Sequence, residues 1–391
     1  MEQVLYSLPD GWAWLNFDSL VENLDGKRIP IKTSERSKDK AIYPYYGATG
    51  IIDYVDDYIY EGEKLLISED GANLVARKYP IAFLADGKYW VNNHAHVVDA
   101  YKDKISNKYL SYFFAVLDLS AFITGTAQPK LSQKKLNSIK IAVAPIAEQK
   151  RIVEKLDALL TRIDTAIEHL QESVTLADVL SKNGLSEIFE RLKNSYEVVP
   201  LSSVVKINSG IALPKLFKNG FSDGDIPFFK VAQMNNHHET MVEPEITFNE
   251  TVAKEHKIKL FPKGSTLIPK RGGAILTNKK RMLLEDASYD SNIMGLKADE
   301  SKISDDYLFA FMRTIDLANF VDASTIPQVN NKHIDQMQIP LASIEEQADV
   351  VSRVNLLVKK VETMNSEIQR QLDDLQALKS SILDSAFKGE L

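Results

Sequence analysis

Cations gather in one stretch of an otherwise acidic chain. Between residues 254 and 281 stand Lys254, Lys257, Lys259, Lys263, Lys270, Arg271, Lys279, Lys280 and Arg281, nine against the single acid Glu255, while the whole chain carries a net charge of −7. Such a local excess suits phosphates. Gly272 and Gly273 would let the backbone approach a groove closely, and Asn278 adjoins the last three cations. A weaker cluster places Lys27, Arg28, Lys32, Arg36, Lys38 and Lys40 against Glu35 and Asp39. Two loops, 126–135 and 324–332, offer Gln128, Lys130, Ser132, Lys134 and Lys135 in one case and Gln328, Asn330, Asn331 and Lys332 in the other. Gln and Asn can hold adenine through two hydrogen bonds, and Lys can reach guanine or phosphate. The rival reading is that Pro129 and Pro327 simply fix a connector onto the strand that follows.

Catalytic chemistry is poorly supplied. The Gly-Lys pairs are followed by Arg28 and Tyr89, so no GxxxxGK[ST] phosphate loop exists. No Asn or Asp precedes a proline, which removes the Asn/Asp-Pro-Pro-Tyr/Phe signature of adenine methyltransferases. Pro9-Asp10 with Asp25-Gly26-Lys27 fits a loose nuclease pattern, but both are better read as turns. His94, His96 and the pair His237-His238 lack acidic neighbours at metal spacing, and there is no cysteine. Neither a metal nor a cofactor is expected. An aromatic group, Tyr43, Tyr45 and Tyr46, reads as core. With 44% hydrophobic and 26% charged residues, the chain has the composition of an ordinary globular protein of two to three domains. No apolar run is long enough for a membrane span, and the first residues lack the pattern of a signal peptide. The expectation is a cytoplasmic protein.

The elements that must position these residues are repeated. From Ile146 to Arg191, Ile152, Leu156, Leu159, Ile163, Ile167, Leu170, Val174 and Ala177 recur at steps of three and four, one apolar stripe on a helix of roughly 60 Å. One stripe needs a partner, and the chain contains it. An offset of 198 lays Ile146-Ala147-Glu148-Gln149 on Ile344-Glu345-Glu346-Gln347, Leu159 on Leu357, Phe189 on Phe387 and Pro129 on Pro327. That register, held over some eighty residues, is an internal duplication. The copies diverge over 21–108 and 205–306, where short alternating runs and turn residues suggest strands and loops. The fold expected is α+β. Two globular α/β modules, 1–145 and 195–343, alternate with long helices, 146–194 and 344–391, that pair antiparallel within the chain about a pseudo-two-fold axis.

The quoted order of motifs is also diagnostic. LPDGWAW (8–14), YPYYGATGI (43–51), LLISEDGANL (65–74), TGTAQPKLSQ (124–133), IAEQKRIVEKLDALL (146–160) and ILDSAFKGEL (382–391), together with the duplication, make the chain resemble the specificity subunit of a type I restriction–modification system. The resemblance runs the full length and departs at the second opening and around KRGGAIL (270–276). It implies two target-recognition domains, each reading half of a bipartite, asymmetric site in double-stranded DNA. It also implies helices that set the spacing and dock methyltransferase (modification) subunits, and a translocase–nuclease (restriction) subunit as a further partner. Catalysis would lie on those other subunits. The alternative is a structural scaffold whose modules bind protein.

Overall fold

A computed structural model describes residues 3, 5–36, 42–125, 127–218, 220–321 and 326–391. Two helices dominate it, Ile146–Lys193 and Ile344–Lys388. Each is anchored at its start in the same way. Gln149 Nε2 donates to Ala144 O and Lys104 O, and Gln347 Nε2 donates to Ala342 O and Lys302 O. Both glutamines are buried, and each clamp satisfies one buried carbonyl, of Ala144 or Ala342, while tying the helix start to a second, of Lys104 or Lys302. The duplicated glutamine is thereby explained as an anchor. No helix of the described residues is long and apolar enough to cross a membrane.

The chain divides into two compact units. One comprises Met1–Gln171 with Gln369–Leu391, the other Glu172–Ile368. Each unit takes half of each long helix, so the division cuts through the helices instead of falling at their ends. In the first unit Ile152, Leu156 and Leu160 share a core with Leu383, Ala386 and Phe387. Leu160, one turn beyond Leu156, is the more deeply buried of the pair Leu159–Leu160, a shift of one position from the stripe read off the sequence. In the second unit Leu185, Phe189 and Leu192 share a core with Val350 and Val354. The halves run antiparallel. Lys379 donates to Asp164 at 2.6 Å in the first unit, and Asn365 donates to Asp178 at 3.4 Å in the second. These contacts lie two heptads apart on both helices, so one register serves both. Exposed pairs of this kind contribute about 0–1 kcal/mol each; the buried stripe sets the register.

Each unit builds the same frame on its half-helices. A two-stranded ribbon pairs Ala13–Asn16 with Lys140–Val143, and its counterpart pairs Val198–Pro200 with Gln338–Pro340. A four-stranded antiparallel sheet follows. Its spatial order is Val21–Asn23, Ala95–Ala100, Lys64–Ser68, Ala82–Ala85 in the first unit. In the second it is Val205–Ser209, Ile293–Ala298, Thr266–Pro269, Arg281–Met282. Short helices Asn107–Val116 and Asp305–Thr314 are capped by Ser106 and Ser304. Their buried Tyr109 and Tyr307 donate to Ala142 O and Pro340 O of the ribbons. A further mixed sheet in each unit is unlike in sequence. That of the first unit buries Tyr45 and leaves Tyr43 and Tyr46 of the same aromatic group half-buried, and that of the second carries a separate core of Phe217, Phe228, Ile246 and Phe248.

Phe387 packs edge-on against Tyr109 and Phe113, at 5.1 and 5.2 Å between ring centroids. Phe189 lies 5.5 Å from both Tyr307 and Phe311. Both rings are almost wholly buried, and each ties a helix end to the short helix of its unit. Phe387→Ala and Phe189→Ala should each cost about 3–5 kcal/mol. Urea unfolding should show a lowered transition in either variant, and a change below about 1 kcal/mol would show that the rings do not anchor the helices.

Candidate nucleic-acid interface

The two connector loops rest on the same backbone frame. In the first unit Leu131 N donates to Glu69 O (2.7 Å) and Gly71 N to Pro129 O (2.9 Å), with Asp70 and Lys130 forming an antiparallel bridge. In the second, Val329 N donates to Lys270 O (3.0 Å) and Gly272 N to Pro327 O (2.9 Å), with Arg271 and Gln328 forming the bridge. Thr124 and Lys130 exchange backbone hydrogen bonds of 2.9 and 2.8 Å across the first loop. Gly125 has φ +83°, and a Cβ there would stand 2.5 Å from Gln128 O, so this turn requires glycine. Gln128 is exposed beyond it, as are Lys134 and Lys135. Ser132 and Asn330 have local tasks. Ser132 Oγ accepts from Lys135 N, and Asn330 Oδ1 accepts from Lys332 N and His333 N, capping the helices Gln133–Asn137 and Asn331–Gln336. Asn331 is exposed and Gln328 half-buried. Thr126 and Ser324 lie outside the described residues.

The segment 254–281 does not present nine cations on one face. Lys280 and Arg281 are buried at 7% and 6% exposure. The Lys280 ammonium donates to Asn278 Oδ1 (2.7 Å) and to Ile315 O, and Arg281 donates to Lys280 O and Asn236 O. Asn278 stands at φ +53° and its Oδ1 also accepts from Leu317 N at 2.9 Å. Lys280 and Asn278 hold the end of the helix Asp305–Thr314, and Arg281 braces Lys280 and the Asn236 loop behind them. The first unit does the same work with Arg77, at φ +48°, whose guanidinium donates to Ala115 O and Leu117 O. A cation over terminal helix carbonyls is favourable in both units. The other cations are distributed. Lys254 and Lys257 line a cavity of about 910 Å³ that also holds Asp225, Glu250 and Asp286. Lys263 is exposed, Lys270 and Lys279 are half-buried, and Lys259 lies over the Phe261 ring. Arg271 is exposed.

The basic run of the first unit is likewise split. Lys27 and Lys32 are exposed. Arg36 turns inward, over the Tyr45 ring and 3.0 Å from Asp53. Lys38 and Lys40 lie outside the described residues. Arg28 also turns inward, 2.5 Å from Glu69 Oε2, 3.3 Å from Asp25 Oδ2 and 2.8 Å from Ala95 O. His96 completes this group, with Nδ1 2.6 Å from Asp25 and Nε2 2.8 Å from Leu131 O. Burial is the largest influence on Asp25 and on Glu69 and would raise both. Hydrogen bonds and charge from His96 and Arg28 outweigh it and hold both carboxyls below their ordinary values. Lys130 adds a contact of 3.1 Å to Glu69. Asp25, Glu69 and His96 could offer ligands to a metal, but Arg28 already supplies the positive charge between them. His96 and His94 do have acidic partners, Asp25 and Asp70 respectively. Sequence distance hides both pairs.

Two similar units, each with a connector frame and a divergent sheet, invite comparison with known families. The family model described as "Type I restriction modification DNA specificity domain" matches residues 9–176 and 193–373. The chain belongs to this family. A Haemophilus influenzae protein named among the type I restriction enzyme specificity subunits is 30% identical, covering 92% of this chain and 90% of that one. The EcoDI specificity subunit of Escherichia coli is 20% identical over 98% of this chain and 89% of its own. One chain from a structural study of complex assembly and conformational transition in a type I restriction–modification system aligns with a TM-score of 0.75 at 19% identity. It covers 99% of this chain and 100% of that one. The HsdS subunit from Thermoanaerobacter tengcongensis aligns with a TM-score of 0.55 at 18% identity, over the whole of both chains. These likenesses give a DNA specificity protein of two repeated modules with long helices.

Burial, with the nearby charge of Lys182 adding to it, pushes the Lys280 ammonium down from the usual 10.5 to about 8, against the opposing pull of Asp316. Its folded-state value is below its unfolded value, so the buried charge costs stability in full below pH 8. That cost shrinks between about pH 8 and 10.5 and vanishes above. The stability of a Lys280→Met variant relative to the natural protein should therefore fall by up to about 3 kcal/mol across that window. Urea unfolding at pH 7.5 and pH 10.5 checks this. A pH-independent difference would mean the ammonium is not buried.

Proposed function

We propose that this chain is the DNA-reading subunit of a type I restriction–modification complex and performs no catalysis itself. Each module, 1–145 and 195–343, takes one half of a bipartite, asymmetric site in double-stranded DNA. The long helices, 146–194 and 344–391, set the gap between the halves and dock methyltransferase subunits, and a translocase–nuclease subunit joins the assembly. The observation that carries this reading is the pairing of a repeated frame with unlike content. Ribbon, short helix, connector and helix anchor recur residue for residue, whereas the segments 21–108 and 205–306 between them differ in sequence and core. A fixed frame with divergent inserts suits two half-sites of different sequence.

The residues proposed to face DNA are those the frame leaves outward. They are Lys27, Gln128, Lys134 and Lys135 in the first module, and Arg271, Gln328 and Asn331, with Lys270 and Lys279 beside them, in the second. Lys130 contributes through the loop that it also braces. Arg28, Ser132, Asn278, Lys280, Arg281 and Asn330 support this surface from within, because their polar groups are engaged by the protein itself.

Replacing residues 21–108 by the equivalent segment of a relative should change one half of the methylated sequence and leave the other half and the gap intact. Sequencing of modified adenines in cells that carry the exchanged subunit with its methyltransferase partners gives the result. Altered bases in both halves would overturn the two-module reading.

A further inference from the structure

The matching bridges and hydrogen bonds of the two connector frames make a position-by-position comparison possible, and it rests on the DNA-reading role proposed above. Asp70 and Lys130 in the first unit, Arg271 and Gln328 in the second, occupy the same bridge between turn and connector. The flanking hydrogen bonds match partner for partner, Leu131 to Glu69 as Val329 to Lys270, and Gly71 to Pro129 as Gly272 to Pro327. Both turns then enter a short helical turn that buries Leu74 or Ile275 and closes on a left-handed residue, Arg77 or Asn278. One structural position therefore carries opposite charge in the two modules.

The two settings also differ in what the side chains already do. Asp70 is paired with His94 at 2.8 Å and Lys130 with Glu69 at 3.1 Å, so the first module's pair is internally engaged. In the second module Lys270 reaches Ser209 Oγ at 2.5 Å. The side chains of Arg271 and Gln328 make no hydrogen bond or ion pair with any of the described residues, and Arg271 is exposed. A Cβ added at either Gly272 or Gly273 would meet nothing within 4 Å, so the backbone beside Arg271 is open to close approach. Base readout needs a side chain of defined reach on a fixed backbone. The bridge supplies the fixed backbone, and the free guanidinium supplies a planar pair of donors that fits guanine O6 and N7. An aspartate at the equivalent position cannot make that contact, since it has acceptors only.

We propose that Arg271 is a specificity-determining residue that reads a guanine in the half-site of the second module, with the Gln328 amide beside it as a neighbouring base contact. The first module, with Asp70 in that place, does not select guanine there, and the two half-sites differ at this step because of this exchange.

The test uses the full subunit co-expressed with its methyltransferase partners and maps modified bases by single-molecule sequencing. The natural protein should methylate a bipartite motif with a guanine in the second half-site that Arg271→Ala no longer requires. Discrimination at that one position should fall by about 10- to 100-fold, with the rest of that half and all of the other half unchanged. Should Arg271→Ala fail to assemble, Arg271→Gln, which loses both the charge and the guanidinium fork, should likewise lose the selection for that guanine. An unchanged motif in either variant, including one methylated at a uniformly lower level as loss of a phosphate contact would give, overturns the assignment of Arg271 while leaving the DNA-reading role standing. Absence of any sequence motif for the natural protein would overturn that role and this inference with it.

Discussion

The structure depends on the burial of one apolar stripe against its own duplicate. A helix of 48 residues with a single greasy face is not stable alone in water, and a second such helix antiparallel to it removes that face from solvent. Because the partners descend from one repeat, pairing them antiparallel brings each half-helix to the same kind of environment in either unit. Leu156 and Phe387 serve one core, and Val354 and Phe189 the other. The glutamine anchors at residues 149 and 347 then fix where each helix begins relative to its ribbon and short helix. Within each unit the connector, and with it the residues proposed to meet DNA, is referred back to this helical frame.

That constraint explains the division of labour between constant and variable parts. The frame uses hydrogen bonds between backbone groups and buried tyrosines, which tolerate little change. The mixed sheets inserted beyond the shared four-stranded sheet need only return the chain to the same two ends. The first unit closes its inner polar group with Arg28, Glu69, Asp25 and His96, and the second has basic Lys270 and Arg271 where the first has Glu69 and Asp70. Modules built this way can diverge in what they read without disturbing the helices that hold them.

The periodic and repeated features were legible in the sequence: the long helices, their antiparallel partnership, the α+β modules, and the equivalence of Phe189 and Phe387. Periodicity and offset are properties of sequence spacing, so they survive without coordinates. Charge counting failed where burial decided the outcome. Lys280 and Arg281 add to a basic tally, yet their donors face Ile315, Asn278, Lys280 and Asn236 carbonyl or amide oxygens. The signal that could have exposed this is the repeat itself, since Arg77 does equivalent work in the first copy. The offset changes from 198 at the connector to 201 at the turn, which hides the match between Arg77 and Asn278 from a fixed-register comparison. The inward turn of Arg28 was hidden for a related reason: besides the nearby Asp25, its partners Glu69 and Ala95 O are distant in sequence.

In the proposed function the paired helices act as a ruler for the two half-sites, and lengthening the ruler tests this role most directly. Four residues added to both helices, after Gln171 and after Ile368, keep each half-helix paired with its present partner. They add about 6 Å and about 40° of rotation. A duplex supplies a similar advance and turn in one to two base pairs, at about 3.4 Å and about 35° each. Mapping of methylated adenines should show both half-sites unchanged and the gap between them longer by one to two base pairs. Full activity with the original gap would contradict the account and remove the helices from any part in setting the spacing.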